Sequence, residues 1–198
     1  SFYTKALYSL SDHRDHRRVK IQLPLLYKLW WGHQNTSHSL PHGLIAWGGR
    51  GQLVICSPHK LPPLPASLMI YEDEINTPYF QLNWGIWTLK IRPVQTPSLE
   101  SKVTGALLCE PYIRFPLKLC LPPQGAQYRP VNAPGRKRVK RLWSDRKLPL
   151  FERERLPILT DAEDTILWVP HCRPAHHLVS ISPQKEEVRY ELTWSTRI

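Results

Sequence analysis

No run of eighteen apolar residues occurs anywhere in the 198-residue chain, and a helix needs about 20 of them to cross a bilayer. No membrane span is therefore predicted. A charged leader followed by an apolar stretch is also missing from the start. The chain opens Ser1-Phe2-Tyr3 and its single methionine is Met69, so we read it as a piece of something longer. Cysteine is scarce and scattered: Cys56, Cys109, Cys120 and Cys172 never form a C-x-x-C pair. That spacing offers neither a zinc-ligand pattern nor a disulfide framework, and the expectation is reduced thiols in a cytoplasmic protein. Acidic residues are few, 16 against 27 Lys and Arg, which leaves a formal charge of +11. A chain this basic is expected to meet a polyanion, nucleic acid being the commonest, although charge that serves solubility alone is the plainer reading. With 41% apolar residues and eight tryptophans, it is a folded protein and not a disordered polycation.

The excess charge is concentrated. Between Arg136 and Arg155 stand nine Lys/Arg (136, 137, 138, 140, 141, 146, 147, 153 and 155) against three acids (145, 152 and 154), which is six of the net +11 in a tenth of the length. Within that run Val139, Leu142 and Trp143 fall at i, i+3 and i+4, one buried stripe of a helix. Lys137, Lys140, Arg141 and Ser144 fall on another face at the same spacing. Pro134-Gly135 marks the entry, and Leu148-Pro149 is expected to end the helix, because the residue before proline is pushed out of the α region. A second short helix is expected over Leu150 to Arg155, closed by Pro157. Cations at helical spacing can meet successive phosphates while Trp143 holds the helix on its sheet; such contacts set register and affinity, not sequence reading. A solvated basic helix with no partner is the alternative at this point.

Elsewhere the pattern is mixed. Asp12 to Arg18 reads as a solvated helix face or loop. Ile21 to Trp31 reads as a helix with Pro24 in its first turn, and Gly32 to Ser39 as a polar loop. The runs Leu40–Trp47 and Gln52–Cys56 flank Gly48-Gly-Arg-Gly51, a hairpin signal. A phosphate-loop reading of that tetrapeptide lacks the Lys-Ser/Thr and the following helix. Pro58 to Pro65, with four prolines in eight positions, predicts a stiff connector. Tyr79–Trp84 and Ile86–Arg92 alternate around Gly85 like paired strands. Thr96 to Gly105 is the expected domain boundary. Tyr112 to Leu119 predicts a strand in which Pro116 implies an edge or a bulge. Strands are expected at Ile158–Thr160 and Thr165–Val169 around an Asp161–Asp164 turn, and a final hairpin pairs His177–Ser182 with Val188–Trp194. No internal repeat is visible. His171-Cys-Arg-Pro-Ala-His-His177 is the one local His/Cys cluster. As a metal site its cysteine lies awkwardly between prolines, and as a hydrolase centre, Cys172 with His171, His176 or His177, adjacency in sequence is not the spatial pairing a nucleophile needs. No metal ligands and no catalytic residues are assigned.

The basic segment also carries a resemblance. Gly135-Arg-Lys-x-x-Lys-x-Leu-Trp143, then Leu148-Pro149, Phe151, Arg153-Glu154 and Pro157-Ile-Leu159, resembles the C-terminal domain of the tRNA(Ile)-lysidine synthase family. Ile113-Arg-Phe-Pro-Leu117, Tyr128-Arg-Pro-Val131 and Ile166-Leu-Trp-Val169 are similar to its flanking strands. The likeness covers about 112 to 170, with a weaker part reaching back to 40. It implies the tRNA-binding portion of an enzyme that uses ATP to adenylate the wobble cytidine of tRNA(Ile) and then attaches lysine. That adenylation belongs to an N-terminal domain with a Ser-Gly-Gly-x-Asp-Ser loop, which is not in this sequence. ATP and magnesium, like lysine, are therefore expected only in the parent enzyme, and no cofactor in this stretch. The implied tRNA-binding residues are Arg136, Lys137, Arg138, Lys140, Arg141, Arg146, Lys147 and Arg153. The other reading is a non-enzymatic basic RNA-binding protein. The expected fold is α+β: residues 1–57 end a helical and hairpin domain, 58–104 are a proline-rich connector with strands, and 105–198 form a small mixed C-terminal domain of short strands with two helices.

Overall fold

The computed structural model describes residues 16–32, 36–49, 51–94, 105–109, 113–178 and 189–196. The architecture is α+β, several small antiparallel sheets with few and mostly short helices. The chain divides into two compact units, residues 1–62 with 147–154, and residues 63–146 with 155–198. The expected boundary at Thr96 to Gly105 lies almost wholly outside the described residues, as does most of the Asp12 to Arg18 segment.

In the first unit a helix, α1 (His16–Trp31), packs on a three-stranded antiparallel sheet of β1 (Thr36–Leu40), β2 (Leu44–Gly49) and β3 (Gln52–Cys56). Leu26 and Leu29 of the helix are buried with Leu40, Leu44 and Ala46. Their i, i+3 spacing is what the sequence pattern predicts. Two local expectations change. Pro24 lies inside the helix, not in its first turn; it is exposed, so its missing hydrogen bond falls where water can satisfy the freed carbonyl. The polar stretch read as a loop includes β1, which pairs with β2 from Thr36↔Gly48 to Leu40↔Leu44. The glycine-rich tetrapeptide is a hairpin turn. Gly49 pairs with Gln52 and Gly51 has φ 78°, a left-handed conformation glycine adopts without steric cost. Gly51 N–H donates to the Trp30 carbonyl at 2.7 Å, tying the turn to the end of α1. A one-turn helix, Leu150–Arg153, completes this unit, with Phe151 edge-on to Trp47 at 5.1 Å.

The second unit holds two four-stranded antiparallel sheets. One has the order β12-β11-β8-β4, built from β4 (Ser67–Ile70), β8 (Leu117–Cys120), β11 (Ile158–Thr160) and β12 (Ile166–Trp168). The other has the order β5-β6-β13-β7, built from β5 (Phe80–Trp84), β6 (Trp87–Val94), β7 (Gly105–Cys109) and β13 (Arg189–Thr196). A short helix, α2 (Glu72–Ile75), lies between β4 and β5 in the chain. The hairpin around Gly85 is as the alternation predicts, closing at Trp84↔Trp87. Trp84, Trp143, Trp168 and Tyr190 are among the largest side chains with essentially no exposure. Trp168 meets Trp194 edge-on at 6.5 Å, which joins one sheet to the other.

Two strand expectations are corrected here. The arm expected over residues 177–182 lies mostly outside the described residues, and the final strand has partners that the sequence did not name. It lies between β6 and β7, antiparallel to both, from Arg189↔Val94 to Thr196↔Trp87 and from Arg189↔Cys109 to Thr193↔Gly105. His176–Leu178 is instead a single 3-10 turn. The strand expected from Tyr112 begins at Leu117 and is interior, with β4 on one side and β11 on the other. Pro116 immediately precedes it, where no ladder N–H is required, so proline here marks the start of a strand and not an edge.

The glycine at position 48 sets the closeness of helix and sheet in the first unit: a Cβ there would lie 2.8 Å from Leu29 Cβ and 2.9 Å from the Leu29 carbonyl carbon and oxygen. Backbone cannot yield as a side-chain tip can. Gly48→Ala is expected to destabilise this unit by about 1–3 kcal/mol, measured as a loss of denaturation midpoint, whereas Gly51→Asn at the open turn should cost little. Equal tolerance of both substitutions would show that the helix is free to move off the sheet.

Candidate nucleic-acid interface

The basic segment is not one continuous helix. Lys137 and Arg138 form a two-residue strand, β10, paired with β9 (Gln127–Tyr128), and the helix α3 starts only at Val139 and ends at Asp145. Val139 N–H donates to the Ala126 carbonyl at 2.9 Å, so the first turn is stitched to the segment before β9. The end of α3 is also earlier than Leu148-Pro149. Lys147 takes a left-handed conformation, φ 61°, which ends a helix whatever follows it. The Leu150–Arg153 turn is shorter than expected by two residues.

The apolar stripe is where the spacing puts it: Val139, Leu142 and Trp143 are all buried. Trp143 has no exposed surface, and its indole N–H donates to the Pro170 carbonyl at 3.0 Å. The cations of the opposite side are exposed. Arg141 Nε lies 2.9 Å from one Asp145 oxygen and Lys137 Nζ lies 3.4 Å from the other. One carboxylate thus orients two cations from different elements. Each exposed pair contributes at most about 1 kcal/mol to stability, so its effect is on position. A hollow of about 600 Å³ beside them is lined by Arg136, Lys137, Arg146 and Arg173, with the Pro130–Gly135 backbone as its wall.

Of the eight residues read as a site, Arg136, Lys137, Arg138, Lys140, Arg141 and Arg146 belong to the second unit. Lys147 and Arg153 belong to the first, and Arg153 is half-buried. Arg136, Lys137 and Arg146 line one hollow, and Lys137 and Arg141 meet at Asp145.

A second group of cations includes Lys118 and Arg129, which the spacing did not single out, together with Arg136, which it did. A groove of about 880 Å³ lies over one face of the β12-β11-β8-β4 sheet. Alternation along the strands puts Lys118, Cys120, Ile158, Thr160 and Ile166 on that face, and the buried Leu117, Leu119, Leu159 and Leu167 on the other. Arg129, Arg136, His176 and His177 stand around the groove, and Arg136 lines both hollows. Lys118 Nζ is paired with Asp164 at 3.1 Å, which holds the ammonium above its usual range through the hydrogen bond and then through charge attraction. Burial holds the His177 imidazole below its usual range.

The His171–His177 cluster is a ledge stitched by its backbone. The Tyr128 hydroxyl donates to the Arg173 carbonyl at 2.7 Å, and the Trp168 indole N–H to the Cys172 carbonyl at 3.1 Å. Val131 N–H donates to Pro174, Ala175 N–H to Leu167 and His176 N–H to Arg129, at 2.9, 3.1 and 3.0 Å. Cys172 is buried, and burial pushes its thiol up to about 11. His171 is depressed by burial and by the Arg146 charge. Burial therefore works against a thiolate–imidazolium pair here, and a buried thiol of this kind is inert. Among the described residues no group of three His, Cys, Asp or Glu side chains is placed to hold a metal ion.

A family model, the TilS substrate C-terminal domain, matches residues 117–192. The match runs from β8 into β13 and so includes α3, the smaller hollow, the ledge and all of the larger groove's lining except Ala66 and Ser67. The chain is 41% identical over 79 residues to the tRNA(Ile)-lysidine synthase of Bacillus subtilis, which is 40% of this chain and 17% of that protein. It is 33% identical over 104 residues to the bifunctional protein TilS/HprT of Listeria monocytogenes, 52% of this chain and 15% of that one. The matched stretch thus spans only a small part of these relatives. A crystal structure of a TilS C-terminal domain superposes with a TM-score of 0.50 at 18% identity, over 68% of this chain and 93% of that one; at that identity the likeness is one of fold. No helix among the described residues is long and apolar enough to cross a membrane.

The raised thiol gives a direct check on the ledge. Cys172 is expected to resist iodoacetamide at pH 8 in the folded chain and to react on denaturation, which mass spectrometry of the labelled peptide would follow. Rapid alkylation of Cys172 without unfolding would mean that the ledge opens.

Proposed function

We propose that the chain is the tRNA-gripping C-terminal part of a tRNA(Ile)-lysidine synthase, holding a substrate on which chemistry is done elsewhere. The observation that carries this reading is the TilS domain match over 117–192, which includes all of β10 and α3, where the charge is concentrated. Arg136, Lys137, Arg138, Lys140, Arg141 and Arg146 are the proposed backbone contacts, five of them exposed side by side in sequence and Arg146 at the helix end. Guanidinium and ammonium groups neutralise phosphates and release counterions, so affinity falls as salt rises. With Lys137 and Arg141 already oriented by Asp145, less side-chain freedom is lost when a phosphate is met. Lys147 and Arg153 are proposed as further contacts, carried by the first unit.

Cytidine adenylation and lysine transfer are proposed for the whole enzyme only. ATP and magnesium are likewise proposed for the whole enzyme and not for this stretch. A cytoplasmic setting follows from the same reading.

Filter binding of unmodified tRNA(Ile) across a salt series tests the proposal. The chain is expected to bind tRNA more tightly than unstructured RNA of equal length, with affinity falling steeply with salt. Arg141→Glu should weaken binding several-fold and leave the thermal midpoint nearly unchanged, because the side chain is exposed. Trp143→Ala should instead lower stability by roughly 3–5 kcal/mol. Equal affinity for tRNA and unstructured RNA would favour a general RNA-binding protein, and unfolding of Arg141→Glu would overturn the assignment of faces.

A further inference from the structure

We infer that the groove over the β12-β11-β8-β4 sheet holds an extended, single-stranded segment of RNA through its phosphodiesters. This inference rests on the RNA-binding reading above and adds where, and in what form, a strand is held. Polar side chains reach the groove from four separate places: the cations Lys118 from β8, Arg129 after β9 and Arg136 before β10, and the imidazoles of His176 and His177 from the ledge. None of them shares a helical face, so solvation of an amphipathic helix does not account for their convergence. The ledge is held by the backbone bonds from His176 to Arg129 and from Ala175 to Leu167, which fix the main chain from which Arg129, His176 and His177 reach the groove. Between them the accessible apolar surface comes from the half-buried Ile166 and the exposed Leu121; Ile158 and Thr160 beside them are buried. A cationic rim over an apolar floor suits a strand whose phosphates face the rim and whose bases lie flat.

Size decides between a strand and a duplex. The volume, about 880 Å³, falls in the roughly 300–1,000 Å³ range of small-ligand sites. An unpaired end or a looped-out nucleotide enters such a space, and the flat side of a helix does not. Asp164 also lines the groove, paired with Lys118 at 3.1 Å. An arriving phosphate takes over Lys118 from this carboxylate, so Asp164 acts as an internal competitor that keeps binding reversible.

The test uses the full 198-residue chain with three labelled probes followed by fluorescence anisotropy: a short uridine homo-oligomer, a blunt RNA duplex and unmodified tRNA(Ile). The Lys118→Met/Arg129→Met double variant is expected to lose about tenfold or more in affinity for the oligomer while its duplex binding stays close to that of the parent. Asp164→Asn should tighten the oligomer several-fold. Lys90→Met, an exposed position on β6 that lines neither hollow, should leave the oligomer and the duplex unchanged. The inference is overturned if the double variant binds the oligomer as the parent does, or if Lys90→Met loses as much. Failure of the unaltered chain to bind tRNA would overturn the broader reading as well; tRNA binding with an oligomer indifferent to the groove overturns only this one. Should the double variant not fold, Arg129→Met alone, an exposed position, carries the same comparison.

Discussion

The buried indole of Trp143 is the contact on which the basic surface depends. Its ring fills the core beneath α3, and its N–H is satisfied by the Pro170 carbonyl. A seven-residue helix is far too short to be stable alone. Everything that gives α3 a fixed orientation comes from this packing, from Val139 and Leu142 beside it, and from the Val139 N–H bond to Ala126. The cations inherit their positions from that anchor. Because the acceptor is Pro170, the same bond also ties α3 to the strand and ledge that bring His176 and His177 over the sheet.

Charge is then arranged by acids as much as by bases. Asp145 spreads its two oxygens between Arg141 and Lys137, and Asp164 holds Lys118. Glu163 pairs with Arg114 in the same turn, and Asp161 accepts the backbone N–H groups of Glu163 and Thr165 at 3.0 and 2.8 Å. That Asx turn fixes the loop from which Asp164 faces the sheet. The few carboxylates of the basic region are placed to orient and to compete, so their scarcity is as informative as the excess of lysine and arginine.

The local pattern in the sequence was sufficient for the stripe of Val139, Leu142 and Trp143, for the hairpins that turn at Gly51 and Gly85, and for the strands at Ile158 and Ile166. Each is decided within a few residues by period or by turn chemistry. The resemblance, carried by the helix and proline corner, was legible for the same reason. What could not be read was non-local. The partners of β13 lie about a hundred residues away in β6 and about eighty in β7, and nothing in Arg189–Thr196 names them. Pro24 and Pro116 were misplaced because the cost of proline depends on which groups face water or a ladder, which is settled only by packing. Lys118 was visible as the polar member of an alternating strand, but whether that face is covered or open depends on four strands at once. His176 and His177 were noticed as a cluster, and their role as the edge of a groove appears only when the ledge is folded against Arg129.

The course of residues 147–154 has a consequence for how the protein can be taken apart. The chain leaves the second unit after Arg146, contributes Phe151 against Trp47 in the first, and returns at Arg155, where the Arg155 carbonyl accepts the Trp84 indole N–H at 2.9 Å. Neither unit is therefore a contiguous piece of sequence. A fragment beginning at Pro63 would keep this excursion but lack the surface it packs on, leaving Phe151 bare in water. Cutting the excursion out would bring the ends of Arg146 and Arg155 together only through a new linker, and would remove Lys147 and Arg153 with it. Domain shuffling of this chain with another must therefore exchange two segments at once, and a single crossover point anywhere between Pro63 and Arg146 leaves a hybrid with one of its cores incomplete.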